Sequence, residues 1–175
     1  MGKFAPIAKD LADIPLCLKD AVVRGFDGAL NIKDRHRSLQ LTVLNNTPYT
    51  LRYSGVYFDS GTSYNDPCAV ILPGKGCTSF VASKQGAILT GVTGGTKYKI
   101  VGSNNLALYI GFCNPAFGSF KHYAAVKHDG YSANLGYDRC EDDNMKHFDA
   151  NGFVLTVEKT ESQEAQRQFI YKISI

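Results

Sequence analysis

Residues 38–58 read SLQLTVLNNTPYTLRYSGVYF, and their side chains alternate between apolar and polar types. Leu39, Leu41 and Val43 occupy every second position, and the turn-forming stretch 45–48 separates them from a second β-rich run. A period of two places alternate side chains on the same face of a strand. This stretch therefore predicts two strands joined by a turn.

Further β-rich runs follow to the C-terminus, separated by clusters of Gly, Pro, Asn and Ser. They lie at 68–72, 78–82, 86–93, 96–101, 105–113, about 120–128, 153–159 and 168–175. Short strands at this spacing are typical of an antiparallel sandwich or barrel. We therefore predict a mainly β fold of about 10 antiparallel strands over residues 38–175, arranged as a sandwich or a barrel. The glycine-rich segment 91–95 is predicted to form a β-turn.

The N-terminal segment has a different period. Apolar residues of 4–22 recur every three or four positions, which places them on one face of a helix. They are Ile7, Leu11, Ile14, Leu18 and Val22. Pro15 removes a backbone donor and is expected to kink this helix. We predict an amphipathic segment over residues 1–30, either packed on the sandwich or available to a membrane, and a short second helix over 138–148. Residues 1–175 then form a single domain.

Composition excludes several classes of protein. The 175 residues, 44% hydrophobic and 20% charged, suit one globular domain. The longest apolar runs, about five to six residues, are far below the ~18–20 that a membrane-spanning helix needs. The first 16 residues lack the apolar core of a secretory signal. A net charge of +3 is too small to indicate nucleic-acid binding.

The reactive residues give no signature of catalysis or of a metal site. Five cysteines show no CxxC spacing, and His122 and His128 are too far apart along a strand to share a metal ion. We therefore predict no enzyme activity, no metal and no cofactor. Cys68 and Cys77 flank the turn 72–76, where either a disulfide or two buried thiols fit.

Two motifs resemble the actinoporins, a family of small pore-forming cytolysins. They are YFDSGTS at 57–63 and SNNLALYIGFCNP at 103–115. In that family an amphipathic N-terminal helix and a short basic stretch precede a β-sandwich, and this chain has a counterpart for each over residues ~5–175. Its basic stretch is 33–37. The resemblance therefore implies an antiparallel β-sandwich of about 10 strands over residues 38–175. Fungal fruit-body lectins, which bind glycans, share the actinoporin fold.

The resemblance implies a site for a phosphocholine headgroup, in which Ser60 helps to hold the phosphate and tyrosines surround the quaternary ammonium. The matching positions are Ser60, Thr93, Cys113, Pro115, Tyr131 and Tyr137. The resemblance also implies membrane contact through Phe117, Phe120 and Tyr123. For any single Tyr or Phe the alternative is packing in the core, and for Ser60 it is an exposed turn.

The resemblance implies a pore-forming cytolysin that is a monomer in solution and a homo-oligomer on membranes. The protein would be secreted and act on a target cell membrane, or be stored in the cytoplasm. The chain contains 10 Tyr and 10 Phe but no Trp, although the family's membrane loop is usually rich in Trp. The absence of Trp and the presence of Pro15 in the N-terminal segment favour the alternative, a non-lytic lectin-like protein that binds glycans or headgroups. The predicted partners are therefore membrane lipids or glycans.

Overall fold

Two β-sheets pack face to face across a shared apolar core. The computed structural model describes residues 37–84, 90–141, 146–148, 151–161 and 166–175. The predicted amphipathic segment 1–30 lies outside these residues. Within the described residues, no helix is long and apolar enough to cross a membrane.

The described part of the chain contains eleven strands and one short helix, so the predicted mainly β fold is confirmed. The strands are β1 (Ser38–Asn46), β2 (Thr50–Ser60), β3 (Thr62–Asn65), β4 (Val70–Ile71), β5 (Lys75–Ala82), β6 (Val92–Val101), β7 (Leu106–Asn114), β8 (Lys121–His128), β9 (Lys146–Phe148), β10 (Val154–Glu161) and β11 (Gln166–Ser174). The helix is α1 (Asn134–Asp138). One sheet has the order β3-β5-β1-β11-β10-β9, and the other has the order β4-β2-β6-β7-β8.

The sandwich is not wholly antiparallel, because β1 and β11 pair in parallel. Leu41 lies opposite Phe169 in this pair, and both side chains enter the core. A parallel pair requires a long connection between its strands, and here the chain from β2 to β10 separates them. The first and last strands of the sandwich therefore lie side by side in the centre of the six-stranded sheet.

The core lies between the two sheets and is built from alternate residues of the central strands. Phe112 of β7 and Phe169 of β11 are both fully buried. The Tyr171 hydroxyl crosses the core and donates a hydrogen bond to the Gly111 carbonyl oxygen at 2.7 Å. Because complete burial raises the pKa of Tyr171 well above its ordinary value, this hydroxyl keeps its proton and joins the sheets.

The helix α1 lies directly against the outer face of the five-stranded sheet. A Cβ atom on Gly111 would overlap the backbone carbonyl of Gly136, and one on Gly95 would overlap the carbonyl oxygen of Ala133. Glycine at these positions lets the helix backbone approach the sheet more closely than any side chain would allow. The glycines therefore set the position of α1.

The predicted turn at 91–95 is wrong, because Gly94 and Gly95 lie within β6. The two runs predicted at 86–93 and 96–101 contribute to this one strand, in which Gly94 pairs with Phe112. A Cβ atom on Gly94 would overlap the carbonyl oxygen of Tyr57. Gly94 thus allows close packing against β2, and Gly95 allows close packing against the helix α1. A pattern of turn-forming residue types does not reveal either contact.

The predicted short helix over 138–148 is displaced. The helix α1 ends at Asp138, and Glu141 forms a β-bridge with His122 at the start of β8. Residues 146–148 form β9, which pairs with β10. Of the described residues in the predicted segment, Glu141 and 146–148 therefore pair with strands instead of forming helix.

Cys68 and Cys77 form a disulfide, which resolves the alternative left open by their spacing. Their Cα atoms lie 5.9 Å apart and the bond closes a short loop that includes β4. We expect the double substitution Cys68→Ser with Cys77→Ser to lower the free energy of unfolding by about 2 to 3 kcal/mol, because the unfolded chain regains loop entropy. Denaturant titration checks this. Dithiothreitol should shift the wild type, but not the double variant, and an unmoved wild type would contradict the prediction.

Candidate functional site

A line of polar side chains crosses the outer face of the five-stranded sheet at one end of the sandwich. Ser60 pairs with Thr93, Thr93 with Cys113, and Cys113 with Lys121. Because neighbouring strands lie about 4.8 Å apart, residues paired in this way form a continuous row. We call these four residues the polar row. Ser60, Thr93 and Cys113 were predicted from the sequence to belong to one site, and the structure brings them together.

Asp59 accepts hydrogen bonds at the β2 side of the polar row. The Thr93 hydroxyl donates to an Asp59 carboxylate oxygen at 3.2 Å, and Ser60 Oγ lies 3.2 Å from Thr93 Oγ1. Because the Thr93 hydroxyl donates its single proton to Asp59, the Ser60 hydroxyl must be the donor to Thr93. Asp59 also forms a hydrogen bond with Tyr137 of α1. Hydroxyl protons on this surface therefore point toward Asp59.

Tyr57 and Tyr137 form an aromatic wall beside this carboxylate. Their ring centroids lie 5.6 Å apart with the planes inclined at 43°. Burial and, after it, the negative charge of Asp59 raise the pKa of the Tyr137 hydroxyl. Tyr137 therefore remains protonated at neutral pH and donates to Asp59. We call these two residues the tyrosine pair.

Sequence reasoning missed Asp59, Tyr57 and Lys121. The motif YFDSGTS drew attention to its serine, but the pairing of β2 with β6 is irregular between Phe58 and Ser60. This β-bulge places Asp59 within hydrogen-bond distance of Thr93, whereas adjacent residues of a regular strand face opposite sides. Strict alternation therefore does not predict that Asp59 and Ser60 belong to the same surface.

A loop next to the polar row carries an exposed phenylalanine. Residues 115–120 connect β7 to β8, and the Phe117 side chain is 79% exposed. The Arg37 guanidinium donates a hydrogen bond to the Ala116 carbonyl oxygen at 2.8 Å, which supports the loop from the start of the sandwich. Pro115, another predicted site residue, lies at the base of this loop and is partly buried. We call residues 115–120 the Phe117 loop.

The prediction that Phe120 contacts a membrane is wrong. Its side chain is only 4% exposed and stacks on Phe169, with ring centroids 4.1 Å apart. The Arg167 guanidinium covers the same ring at 4.8 Å. Tyr123, predicted with it, is half-buried within β8 and pairs with Gly111, so it is not part of the loop.

Tyr131 lies away from the polar row, on the opposite side of α1. Its ring meets Tyr109 edge to face at 6.3 Å, and its carbonyl oxygen accepts a hydrogen bond from the Lys97 ammonium at 2.7 Å. Lys97 lies four residues along β6 from Thr93, which corresponds to about 13 Å. Of the two predicted cage tyrosines, the structure therefore brings only Tyr137 to the site.

The thiol of Cys140 lies beside the polar row, close to Cys113. Burial, together with the neighbouring Cys113, raises the pKa of Cys140 well above its usual range, so it remains a neutral thiol. Its Sγ donates a long hydrogen bond of 3.5 Å to the Gly136 carbonyl. Among the described residues, no group of three or more His, Cys, Asp or Glu side chains is placed to hold a metal ion.

Comparison with known proteins shows the fold. No protein-family model and no curated protein matches this sequence. The crystal structure of the lipid-binding protein Nakanori is similar over 97% of this chain and 94% of its own, with a TM-score of 0.70 and 14% sequence identity. The RahU protein, solved in complex with a Tris molecule, is similar over 80% of this chain and 96% of its own, with a TM-score of 0.52 and 8% identity.

A lectin of Xerocomus chrysenteron also matches, over 78% of this chain and 99% of its own, with a TM-score of 0.47 and 10% identity. At such low identities the similarity concerns the fold alone. The sandwich implied by the actinoporin resemblance is thus supported at the level of the fold, with Nakanori as a neighbour that shares it.

Proposed function

We propose that this protein binds membrane lipids through the end of the sandwich that carries the polar row, the tyrosine pair and the Phe117 loop. The observation that carries the proposal is the juxtaposition of an almost fully exposed Phe117 with a surface of hydroxyl, carboxylate and aromatic groups. An exposed aromatic ring gains free energy when it enters the interface of a bilayer. The fold shared with Nakanori, described as a lipid-binding protein, supports this proposal.

The ligand is a zwitterionic phospholipid headgroup, such as phosphocholine or phosphoethanolamine, in which a cation is joined to a phosphate. Rings of the tyrosine pair offer faces to the cation, an attraction worth roughly 0.5 to 2 kcal/mol each. The Lys121 ammonium, at the opposite end of the polar row from Asp59, offers a charge of the sign that phosphate needs. The polar row thus has a negative charge at the Asp59 end and a positive charge at the Lys121 end, which match the cation and the phosphate of a zwitterion.

Pore formation is the lytic form of this function. Arg37, which follows the predicted amphipathic segment 1–30 in the sequence, contacts the Phe117 loop at the proposed membrane-facing end. As a helix, 20 residues would span about 30 Å, enough for the hydrocarbon core of a bilayer. Such helices would line a pore in a membrane-bound oligomer formed by a secreted monomer, with their charged residues facing water.

Vesicles of phosphatidylcholine and sphingomyelin loaded with a self-quenched dye test both parts of this proposal. We expect the full chain to float with the vesicles and to release dye. A variant lacking residues 1–24 should float equally well and release no dye, because it keeps the site but lacks the inserting segment. A full chain that does not float with vesicles at micromolar concentration would contradict lipid binding, and binding without release would contradict pore formation.

A non-lytic recognition protein is the second candidate, and the burial of Phe120 favours it. Of the two phenylalanines predicted to anchor the protein, only Phe117 is exposed, which reduces the apolar area available to a membrane. The polar row and the tyrosine pair would then bind a glycan or a headgroup without insertion. Binding to immobilised glycans that survives removal of residues 1–24, with no dye release from vesicles, would support this candidate.

A further inference from the structure

Asp59 is an exposed carboxylate that, within the described part of the chain, contacts neutral hydrogen-bond donors only. Among the described residues, it accepts hydrogen bonds from Thr93 and Tyr137 and takes part in no ion pair. A carboxylate has about four lone-pair sites, so two hydroxyl donors leave acceptor capacity open. The site therefore holds a negative charge that is available to a positively charged ligand.

The direction of the hydroxyl protons makes the same surface a hydrogen-bond acceptor. Ser60 donates to Thr93 and Thr93 donates to Asp59, so lone pairs of the Ser60 oxygen remain for an incoming donor. A phosphate at Ser60 would find the Ser60 and Thr93 hydroxyl protons already donated to other acceptors. It would also lie next to the negative charge of Asp59. This arrangement argues against phosphate at Ser60 and in favour of a cation that donates hydrogen bonds.

Two kinds of lipid cation differ in their ability to donate hydrogen bonds. A primary ammonium has three N–H donors, whereas a quaternary ammonium has none. Both can rest on the rings of the tyrosine pair, so the aromatic contact does not separate them. Only the primary ammonium can satisfy Asp59 and Ser60 with hydrogen bonds, and a site built from hydrogen-bonding groups discriminates strongly against an analogue that leaves them unpaired.

We propose that this site selects a primary ammonium, as in a phosphoethanolamine headgroup, over the quaternary ammonium of phosphocholine, with Asp59 as the specificity-determining residue. The inference rests on the proposed lipid-binding function and specifies its ligand. The ammonium lies between Asp59 and the tyrosine pair, and the phosphate points along the polar row toward Lys121.

The experiment has a soluble arm and a membrane arm, both with the full chain. Isothermal titration compares glycerophosphoethanolamine with glycerophosphocholine, and flotation compares vesicles of phosphatidylcholine alone with an equal mixture of phosphatidylcholine and phosphatidylethanolamine. The test variant is Asp59→Asn, whose amide oxygen still accepts the hydrogen bonds from Thr93 and Tyr137. The matched control is Asp66→Asn, which removes the same charge from an exposed position outside the polar row.

We expect the wild type and Asp66→Asn to bind the ethanolamine compound about tenfold more tightly than the choline compound, and to prefer the mixed vesicles. Asp59→Asn should bind both compounds more weakly and should lose most of the preference for the ethanolamine compound, because a neutral amide oxygen is a weaker acceptor of the ammonium N–H groups than a carboxylate. A lower pKa of Tyr137 in this variant, read from the ring carbon signal, would show that the charge next to it has been removed.

The two arms separate this inference from the proposed function. Vesicle binding without a headgroup preference, or a preference that is undiminished in Asp59→Asn, would overturn the inference and leave lipid binding intact. Preference for the ethanolamine compound without binding to either vesicle would overturn lipid binding and support the ammonium site. Failure to bind either compound or either vesicle would overturn both.

Discussion

Replacing Gly111 with alanine is expected to destabilise the protein by about 2 to 3 kcal/mol and to abolish binding at the polar row. A Cβ atom at this position would overlap the backbone carbonyl of Gly136 and would also lie 2.8 Å from the Cys140 sulfur. Because the closest partner is the backbone carbonyl of Gly136 in a packed helix, no side-chain rotation can relieve the overlap. The helix α1 must move outward, and Tyr137 moves with it.

Denaturant titration measures the loss of stability, and vesicle flotation measures the loss of binding. Gly130→Ala is the matched control, since the nearest atom to its new Cβ is in the His128 side chain at 3.2 Å, which can shift. The control should keep its stability within about 0.5 kcal/mol of the wild type and retain binding. If Gly111→Ala is as stable as the wild type and still binds, the close contact between α1 and the sheet does not support the site.

Phe117→Ala is expected to weaken vesicle binding by about ten- to a hundredfold without affecting the stability of the fold. The side chain is 79% exposed, so its removal leaves no cavity in the soluble protein. Complete burial of such a side chain contributes about 1.5 to 3 kcal/mol, which corresponds to the expected loss of affinity. Flotation over a range of lipid concentrations measures the change.

Leu72→Ala is the control for this prediction. Leu72 is 54% exposed and precedes a turn in which Gly74 N–H donates to the carbonyl oxygen of Asn45, near the C-terminal end of β1. The Phe117 loop lies near the opposite end of β1, where Arg37 contacts Ala116. The Leu72 variant should bind like the wild type. Equal binding by the Phe117 variant would contradict the proposed orientation on the membrane.

Phe120→Ala, which the sequence alone suggests as a membrane-contact variant, would test something else. Its ring lies between Phe169 and the Arg167 guanidinium. We attribute any loss of function in that variant to a cavity in the core. Two phenylalanines three residues apart in one loop are equivalent in the sequence, and only the packing of the loop against β11 distinguishes them.

Much of the candidate site was accessible before the structure. Ser60 and Cys113 lie in the two motifs, Thr93 was assigned through the same family resemblance, and pairing across β2, β6 and β7 places the three in one row. Asp59 was not identified because a β-bulge, invisible in the pattern of residue types, sets its position. Tyr131 was wrongly grouped with Tyr137. The two side chains lie on opposite sides of α1, and the sequence predicts this helix in a different place.

The alternation that begins at Leu39 was enough to predict a mainly β fold, because burial of one face of each strand makes apolar residues recur at every second position. Apolar alternation is a local property of the sequence, and it does not depend on which elements the strands pack against. The parallel pairing of β1 with β11, the position of α1 and the acceptor character of Asp59 depend on residues far apart in sequence. They follow from contacts between backbones and side chains that only folding brings together.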